Sequence, residues 1–360
     1  MAYRRIPLLD NSRCKSNIDF AFELFQDIQN CNGQIAVLAL DISKFFDSLD
    51  HKKLKQAWAG LFGKKDLDKD HYNLFKNLTR FDYVEMKDIL AEFGYKNPRQ
   101  LIQKDVAYFV KEGKDFQVRI KKKGYLKKNP FRRKNSDGTK TMVGIPQGTP
   151  ISPFLANLYL YEFDKNVLQL LKSYNGIYRR YSDDIVIICP KSSYTQVENK
   201  VYELIADERL IIQPIKTQRS FFENGKLEKG QKPLTYLGFQ FDGNKIRIKS
   251  GSVSKFFRKM KKAVKFRAYR ASIARKKILK GIKVDATLHR KKLYTQFSFL
   301  GAGRKTGRKR NFFSYAYFAS RTMDSPDITK QLSKAWKVLH NEIHRQEKKF
   351  RLPKISKKMS

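Results

Sequence analysis

Acidic residues, cysteine and long apolar runs are all scarce in this chain, and each shortage narrows what it can be. Only 34 aspartates and glutamates stand against 76 lysines and arginines in 360 residues, a formal net charge of +42. Solubility needs far less, so the excess implies a polyanionic partner. Nucleic acid is the leading candidate and an anionic membrane surface the weaker one. The three cysteines, Cys14, Cys31 and Cys189, lie far apart without CxxC spacing. That argues against a zinc site and for a reduced, cytoplasmic setting. No apolar run nears the ~20 residues of a membrane span, and no secretory signal is expected. Histidine is equally sparse. In "HNEIH", His340 and His344 have the i,i+4 spacing of metal ligands, but the Glu of HExxH and a third ligand are missing, so they read as surface residues. No internal repeat appears.

What is present is a globular composition, 41% hydrophobic and 13% aromatic, with length enough for two or three subdomains. The charge is uneven. Residues 251–360 carry 32 lysines and arginines against 5 acids, so 27 of the 42 excess charges sit in the last third. A mixed-charge body thus bears a basic C-terminal part, with the junction near Ser250-Gly251.

Along the body, the apolar run Ile35–Leu40 reads as a buried strand ending at Asp41, followed by an amphipathic helix through Leu54 and Trp58. Residues 60–115 read as short helices broken near Gly63, Gly94 and Pro98. Phe116, Val118 and Ile120 alternate as in a strand and lead into a basic hairpin over 121–134. A Gly/Pro loop at 144 opens a long helix from Phe154 to Leu171. "RRYSDDIVII", 179–188, places two adjacent aspartates at a hairpin tip against a β-branched run. A helix at 195–210 and a second hairpin at 235–249, turning at Asp242-Gly243-Asn244, complete the body. Beyond 251 the chain reads as helical and basic.

Taken singly, Asp41 and Asp183 are ordinary strand-end and turn acids. Taken together they pose a sharper possibility. If their strands are neighbours, the carboxylates converge at one sheet edge, as a two-metal phosphoryl-transfer site requires.

At this point the residues carry a family resemblance. "ALDISKFFDSLDH", "GIPQGTPISPFLANLYLYEFD", "YSDDIVII" and "TYLGFQF" resemble, in order, palm motifs A, B, C and E of reverse transcriptases, and "LIIQPIKTQRS" resembles motif D. The resemblance spans most of residues 1–250. "CKSNIDFAFELFQDI", "FFDSLDH" and "QGTPISPFLANLYLYEFD" look in addition like the bacterial defence-associated reverse transcriptases of the unknown group, relatives of the abortive-infection and retron enzymes. That resemblance implies an α+β right-hand polymerase with abbreviated fingers, an antiparallel-sheet palm and a basic helical thumb. The expected domains are an N-terminal segment at 1–33, a palm at 34–250 with a fingers-like insertion at about 60–140, and a thumb with C-terminal extension at 251–360.

Carried over residue by residue, the resemblance puts two Mg²⁺ ions, with Mn²⁺ as an alternative, on Asp41 and Asp183, beside Asp184 and the Ile42 carbonyl. Phe46 matches the steric gate that excludes a ribose 2′-hydroxyl; Phe45 adjoins it, and one of the two must face the core. Gln147 and Gly148 match residues that touch the incoming nucleotide. Lys216 matches a proton donor to pyrophosphate, or is a plain surface lysine. Tyr181 would lie near the primer terminus, and Leu237 and Gly238 resemble the primer grip. The chain departs from the family before motif A, where only 40 residues precede Asp41. Arg4, Arg5, Arg13, Lys15 or the basic hairpin must then supply the triphosphate clamp.

The C-terminal part has no such motif. Lys261, Lys262 and Lys265 lie in a stretch of interleaved apolar residues and cations that suits a phosphate-facing helix. "GAGRKTGRKRN", 301–311, lacks a P-loop pattern and reads as an RNA-contacting loop. The implied partners are an RNA template, a structured noncoding RNA in the defence reading, with dNTPs and a DNA product, and no membrane. The rivals are a retron- or intron-type enzyme, a protein-primed or untemplated DNA polymerase, and an RNA-binding scaffold with an inactive palm. No Cys/His endonuclease module follows the thumb, and Phe46 disfavours an RNA polymerase.

Overall fold

The computed structural model of the protein describes residues 5–8, 10, 13–135, 137–302 and 311–351. Arg4 and the basic loop at 303–310 lie outside the described residues. The chain divides into two compact units that interleave in sequence. Of the described residues, the first holds those in Leu40–Cys189 and Ser193–Thr217; the second holds those in Arg5–Ala39, Pro190–Ser192 and from Gln218 to Arg351. Among the described residues no helix is long and apolar enough to cross a membrane.

In the first unit the antiparallel strands Ile177–Tyr181 and Asp184–Pro190 pair with Tyr181 opposite Asp184 and Ile177 opposite Ile188. Ile185, Val186, Ile187, Ile188 and Cys189 are all buried, so this strand has no solvent face. Burial also pushes the Cys189 thiol up to about 11. Two amphipathic helices pack together. Tyr161–Lys172 buries Phe163, Val167 and Leu171, and Tyr194–Asp207 buries Val197, Val201 and Ile205, each set one turn apart. The helices Ser152–Tyr159 and His51–Gly60 form a second packed pair. The single helix expected from Phe154 to Leu171 is thus two, with the break at Leu160.

The insertion is helical at Lys69–Thr79, Met86–Glu92 and Pro98–Gln103. The alternation at Phe116, Val118 and Ile120 is not a strand. The chain is helical from Gly113 to Lys121, with Ile120 buried and Val118 exposed. Three alternating residues fit either period, and here Arg119 lies 3.9 Å above the Phe93 ring and pairs with Glu92, on the helix Met86–Glu92. The basic hairpin expected over 121–134 lies later, at Arg132–Lys134 and Lys140–Met142, while Lys127–Lys128 pairs instead with Asp82–Tyr83.

In the second unit Gln34–Ala39 pairs antiparallel with Gln218–Glu223. The expected hairpin at 235–249 is a three-stranded meander, Leu234–Tyr236, Phe239–Phe241 and Ile246–Ile248. Phe241 stacks between Phe25, at 4.8 Å, and Phe222, at 6.0 Å. Phe25 lies on the helix Asn17–Asn30, which a Ser16/Asp19 capping box starts. The helix Ser250–Ile278 buries Phe256, Met260, Val264, Ala268 and Ala271 and packs on Ala335–Lys349.

The boundary expected near residue 250 does not divide the units. The meander groups with the helices after it, because Ser325 donates to the Ile246 carbonyl (2.9 Å) and Gln331 bonds both the N–H and the carbonyl of Ile248 (2.8 and 2.9 Å). His344 is exposed, but His340 is half-buried, stacked on Tyr294 at 5.2 Å and packed on Trp336 at 4.1 Å. One of the pair is therefore an aromatic packing residue rather than a surface histidine.

Candidate active site

The strand Gln34–Asp41 carries its apolar run to Leu40 and ends on a half-buried carboxylate. The next residue joins it to the hairpin tip, since the Ile42 N–H donates to the Asp183 carbonyl at 3.1 Å. A third segment runs beside both. Ser43 N–H donates to Ile211 O (2.8 Å), Gln213 N–H donates to Asp41 O (2.8 Å), and Ile42 and Ile212 form a bridge. A short turn, Pro214–Lys216, then brings the Lys216 ammonium onto both Asp41 oxygens, at 2.9 and 2.8 Å. That hydrogen bond is the largest influence and raises the Lys216 pKa; desolvation opposes it, and the charges of Asp41, Asp183 and Asp184 add to the rise. Three carboxylates and one lysine thus share one electrostatic neighbourhood in the first unit.

Among the described residues no group of three or more His, Cys, Asp or Glu side chains is arranged to hold a metal ion. The donor chemistry still suits a hard cation. Carboxylate oxygens dominate, without sulfur or imidazole, which is the ligand preference of Mg²⁺ and Mn²⁺. Lys216 already places a positive charge on both oxygens of Asp41.

Of the two adjacent phenylalanines, Phe45 is 3% exposed and Phe46 half-buried, with ring centroids 5.5 Å apart. The Phe46 carbonyl accepts from Ile145 N–H at 2.9 Å, and the Leu49 carbonyl accepts from Gly144 N–H at 2.8 Å. These bonds hold the Gly/Pro loop against the turn after Asp41. Gly144 is required by contact as well as conformation: at φ 80° a Cβ there would lie 2.6 Å from the Asp47 carbonyl oxygen. Gly148 has φ 88° and open space around it, so only the backbone conformation calls for glycine. Gln147 is exposed, and its amide nitrogen donates to Asp47 Oδ1 at 3.2 Å. Tyr181 is half-buried at the end of its strand, opposite Asp184.

Asp41, Ile42, Phe46, Gln147, Gly148, Tyr181, Asp183, Asp184 and Lys216 all belong to the first unit. Leu237, Gly238, Lys261, Lys262 and Lys265 belong to the second. Leu237 and Gly238 form the two-residue turn of the meander, both with positive φ (45° and 92°), and Asn17 donates to the Leu237 carbonyl at 3.2 Å. The three lysines are exposed on the helix Ser250–Ile278, away from its buried stripe. Of the candidate clamp residues, Arg13 is committed to Asp19 through two hydrogen bonds (2.7 and 2.6 Å), and Lys15 is paired with Glu23. Arg5 is exposed.

Two acids escape notice in the sequence. Asp47 orients Gln147, and nothing in "FFDSLDH" marks it apart from its neighbours. Asp50 is 1% exposed and receives Arg133 at 2.7 Å, Arg209 at 2.9 Å and the Lys53 N–H at 3.0 Å. The Lys53 backbone bond and the two guanidiniums outweigh burial and hold its carboxyl near about 2. Its neighbour His51 meets the Gly144 carbonyl at 2.8 Å. The only sequence signal was the helix N-cap position before "HKKLKQAW".

Telomerase structures are among those that match the chain at low similarity. Apo telomerase from Candida tropicalis is 15% identical with a TM-score of 0.39, over 93% of this chain and 47% of that one. Telomerase from Candida albicans, in complex with a TWJ fragment of telomeric RNA, is 13% identical with a TM-score of 0.37, over 92% and 50%. The chain spans about half the length of these structures. Residues 100–241 match the family model for reverse transcriptase (RNA-dependent DNA polymerase), a stretch that runs through the Gln147 loop, the Asp183 hairpin and Lys216. The architecture of mixed helices and antiparallel sheets is of the α+β class, and over residues 100–241 the chain is similar to reverse transcriptases, which are nucleotidyltransferases.

Proposed function

We propose that the protein is an RNA-directed DNA polymerase that extends a 3′-hydroxyl with deoxynucleotides by two-metal nucleotidyl transfer. The observation that carries this reading is the tie between Asp41 and the Asp183 turn, with Lys216 seated on Asp41. Asp41 and Asp183 would hold the ions, with Asp184 and the Ile42 carbonyl beside them. When bound, two Mg²⁺ ions activate the attacking hydroxyl and neutralise the triphosphate. The chain's own residues do the rest. Lys216, seated on both Asp41 oxygens, would exchange that contact for one with the substrate and donate a proton to the departing pyrophosphate. The half-buried Phe46 ring would exclude a ribose 2′-hydroxyl by contact. Gln147, its amide nitrogen held by Asp47, presents its carbonyl oxygen to the nucleotide, and Gly148 leaves the backbone open to it.

The net charge of +42 supports an RNA template as partner. The resemblance of the N-terminal and motif B segments to defence-associated enzymes supports a dedicated structured noncoding RNA, a cytoplasmic setting and a role against phage. Sequencing the nucleic acid that copurifies with the protein tests this directly. The expected result is one RNA species plus complementary DNA, with the DNA missing from Asp183→Ala preparations. DNA of unrelated sequence, present in both preparations, would refute the templated reading.

A further inference from the structure

Beside the YSDD turn, Arg180 and Asp164 form an ion pair whose guanidinium is buried and whose carboxylate is half-buried. Arg180 is 5% exposed, and its Nε and Nη2 donate to the two Asp164 oxygens at 2.7 and 2.6 Å. The Tyr178 hydroxyl donates to the same carboxylate at 2.6 Å. Arg180 Nη1 reaches the other way, donating to the Ser182 carbonyl at 3.0 Å and to Asn157 Oδ1 at 3.3 Å. Ser182 is buried and stands at φ 60°. That left-handed conformation is unfavourable for a residue with a side chain. It persists only where surrounding contacts determine it.

The two successive carbonyls of the turn are therefore both pinned. Ser182 O is held by a guanidinium anchored on the helix Tyr161–Lys172, and Asp183 O by the Ile42 N–H. We infer that Arg180, braced by Asp164, is a positioning residue that fixes the left-handed Ser182 and with it the direction of the Asp183 carboxylate. The planar guanidinium suits the task, since it presents a rigid fork to Asp164 and a further N–H to the turn at once. Lysine supplies the charge but not that geometry. The consequence for catalysis rests on the polymerase reading; the geometry of the turn does not.

The test is Arg180→Lys, compared with the double variant Arg180→Lys, Ser182→Gly, at a temperature where circular dichroism shows both folded. Three quantities are read: amide hydrogen exchange along 182–190, Mn²⁺ affinity from the free-ion electron paramagnetic signal, and single-nucleotide kinetics. In Arg180→Lys, exchange should speed up at Asp183 and Asp184 while Val186–Ile188 stay protected. Mn²⁺ affinity and kcat should fall about 10- to 100-fold, with KM for the nucleotide within about threefold of wild type. Glycine at 182 removes the conformational cost, so the double variant should regain part of the Mn²⁺ affinity. Exchange rising uniformly along the strand, or unchanged Mn²⁺ affinity in Arg180→Lys, would overturn the inference. If the wild type adds no nucleotide, the polymerase reading fails, and exchange at the turn still decides the role of Arg180.

Discussion

In the first unit, exposed Lys216 lies on both oxygens of Asp41 and within the field of Asp183 and Asp184. In the second unit, Lys261, Lys262 and Lys265 are equally exposed, on a helix of 29 residues that contains no acid. The side chain is the same and its nearest anion differs. Lys216 has its counter-charge built into the fold, so an arriving metal ion must compete with it. The helix lysines have no acid on their own helix, and the +27 charge of residues 251–360 suits a polyanion from outside. Substitutions should therefore separate chemistry, in the first unit, from salt-dependent binding, in the second.

Lys216→Met should give the largest contrast. Loss of a proton donor lowers kcat by about 10²- to 10⁴-fold, whereas Mn²⁺ should bind more tightly once its competitor on Asp41 is gone. A rate like wild type would return Lys216 to the status of a surface residue. Phe46→Ala acts on sugar choice in the same unit. Discrimination against a ribonucleotide should fall by up to about 10²-fold, the range in which a pocket rejects an added hydroxyl. If the kcat/KM ratio for deoxy- over ribonucleotide is unchanged, the gate lies elsewhere.

Asp50 tests the paired side of the comparison through stability. Its folded pKa, about 2, lies below the ordinary 3.8. The stabilisation, about 2 kcal/mol, is therefore complete above pH 4 and is lost as pH falls towards 2. Asp50→Asn should lower unfolding free energy at pH 7 by about that amount and flatten its acid dependence between pH 4 and 2. An unchanged acid limb would show that Arg133 and Arg209 contribute little through this carboxylate. The smallest effect belongs to the second unit. Replacing Lys261, Lys262 and Lys265 together with Gln should flatten the salt dependence of RNA binding by about one unit of slope per lost phosphate contact. Single-turnover rates at saturating RNA should stay unchanged. Parallel salt plots would remove this helix from the RNA interface.

The acids of the site were legible because each ends a recognisable element: a buried strand at Asp41 and a hairpin tip at Asp183. Their tie was only conditional, since strand adjacency depends on contacts distant in sequence. Asp47, Asp50, Asp164 and Arg180 were not legible. Each gains its role from a partner at another place in the chain, such as Gln147 for Asp47 and Arg209 for Asp50, and no local pattern encodes such a pairing. Local rules failed in the same way for secondary structure. Three alternating apolar residues at 116–120 were too few to choose strand over helix, and the break at Leu160 leaves the apolar spacing of its two helices uninterrupted. The second unit shows the same limit, since composition marked a junction near residue 250 where the meander and the following helices pack as one unit.

The most direct test of the account is single-nucleotide addition to a DNA primer annealed on RNA, titrated with Mg²⁺, for the wild type and for Asp183→Asn. That variant keeps the size of the side chain and the backbone carbonyl that Ile42 holds, and removes one metal-binding charge. The account predicts that the wild type adds only the complementary deoxynucleotide and needs Mg²⁺, and that Asp183→Asn binds the same RNA–DNA duplex but adds nothing above background. Addition by Asp183→Asn at the wild-type rate, or addition by the wild type in the presence of a metal chelator, would contradict it.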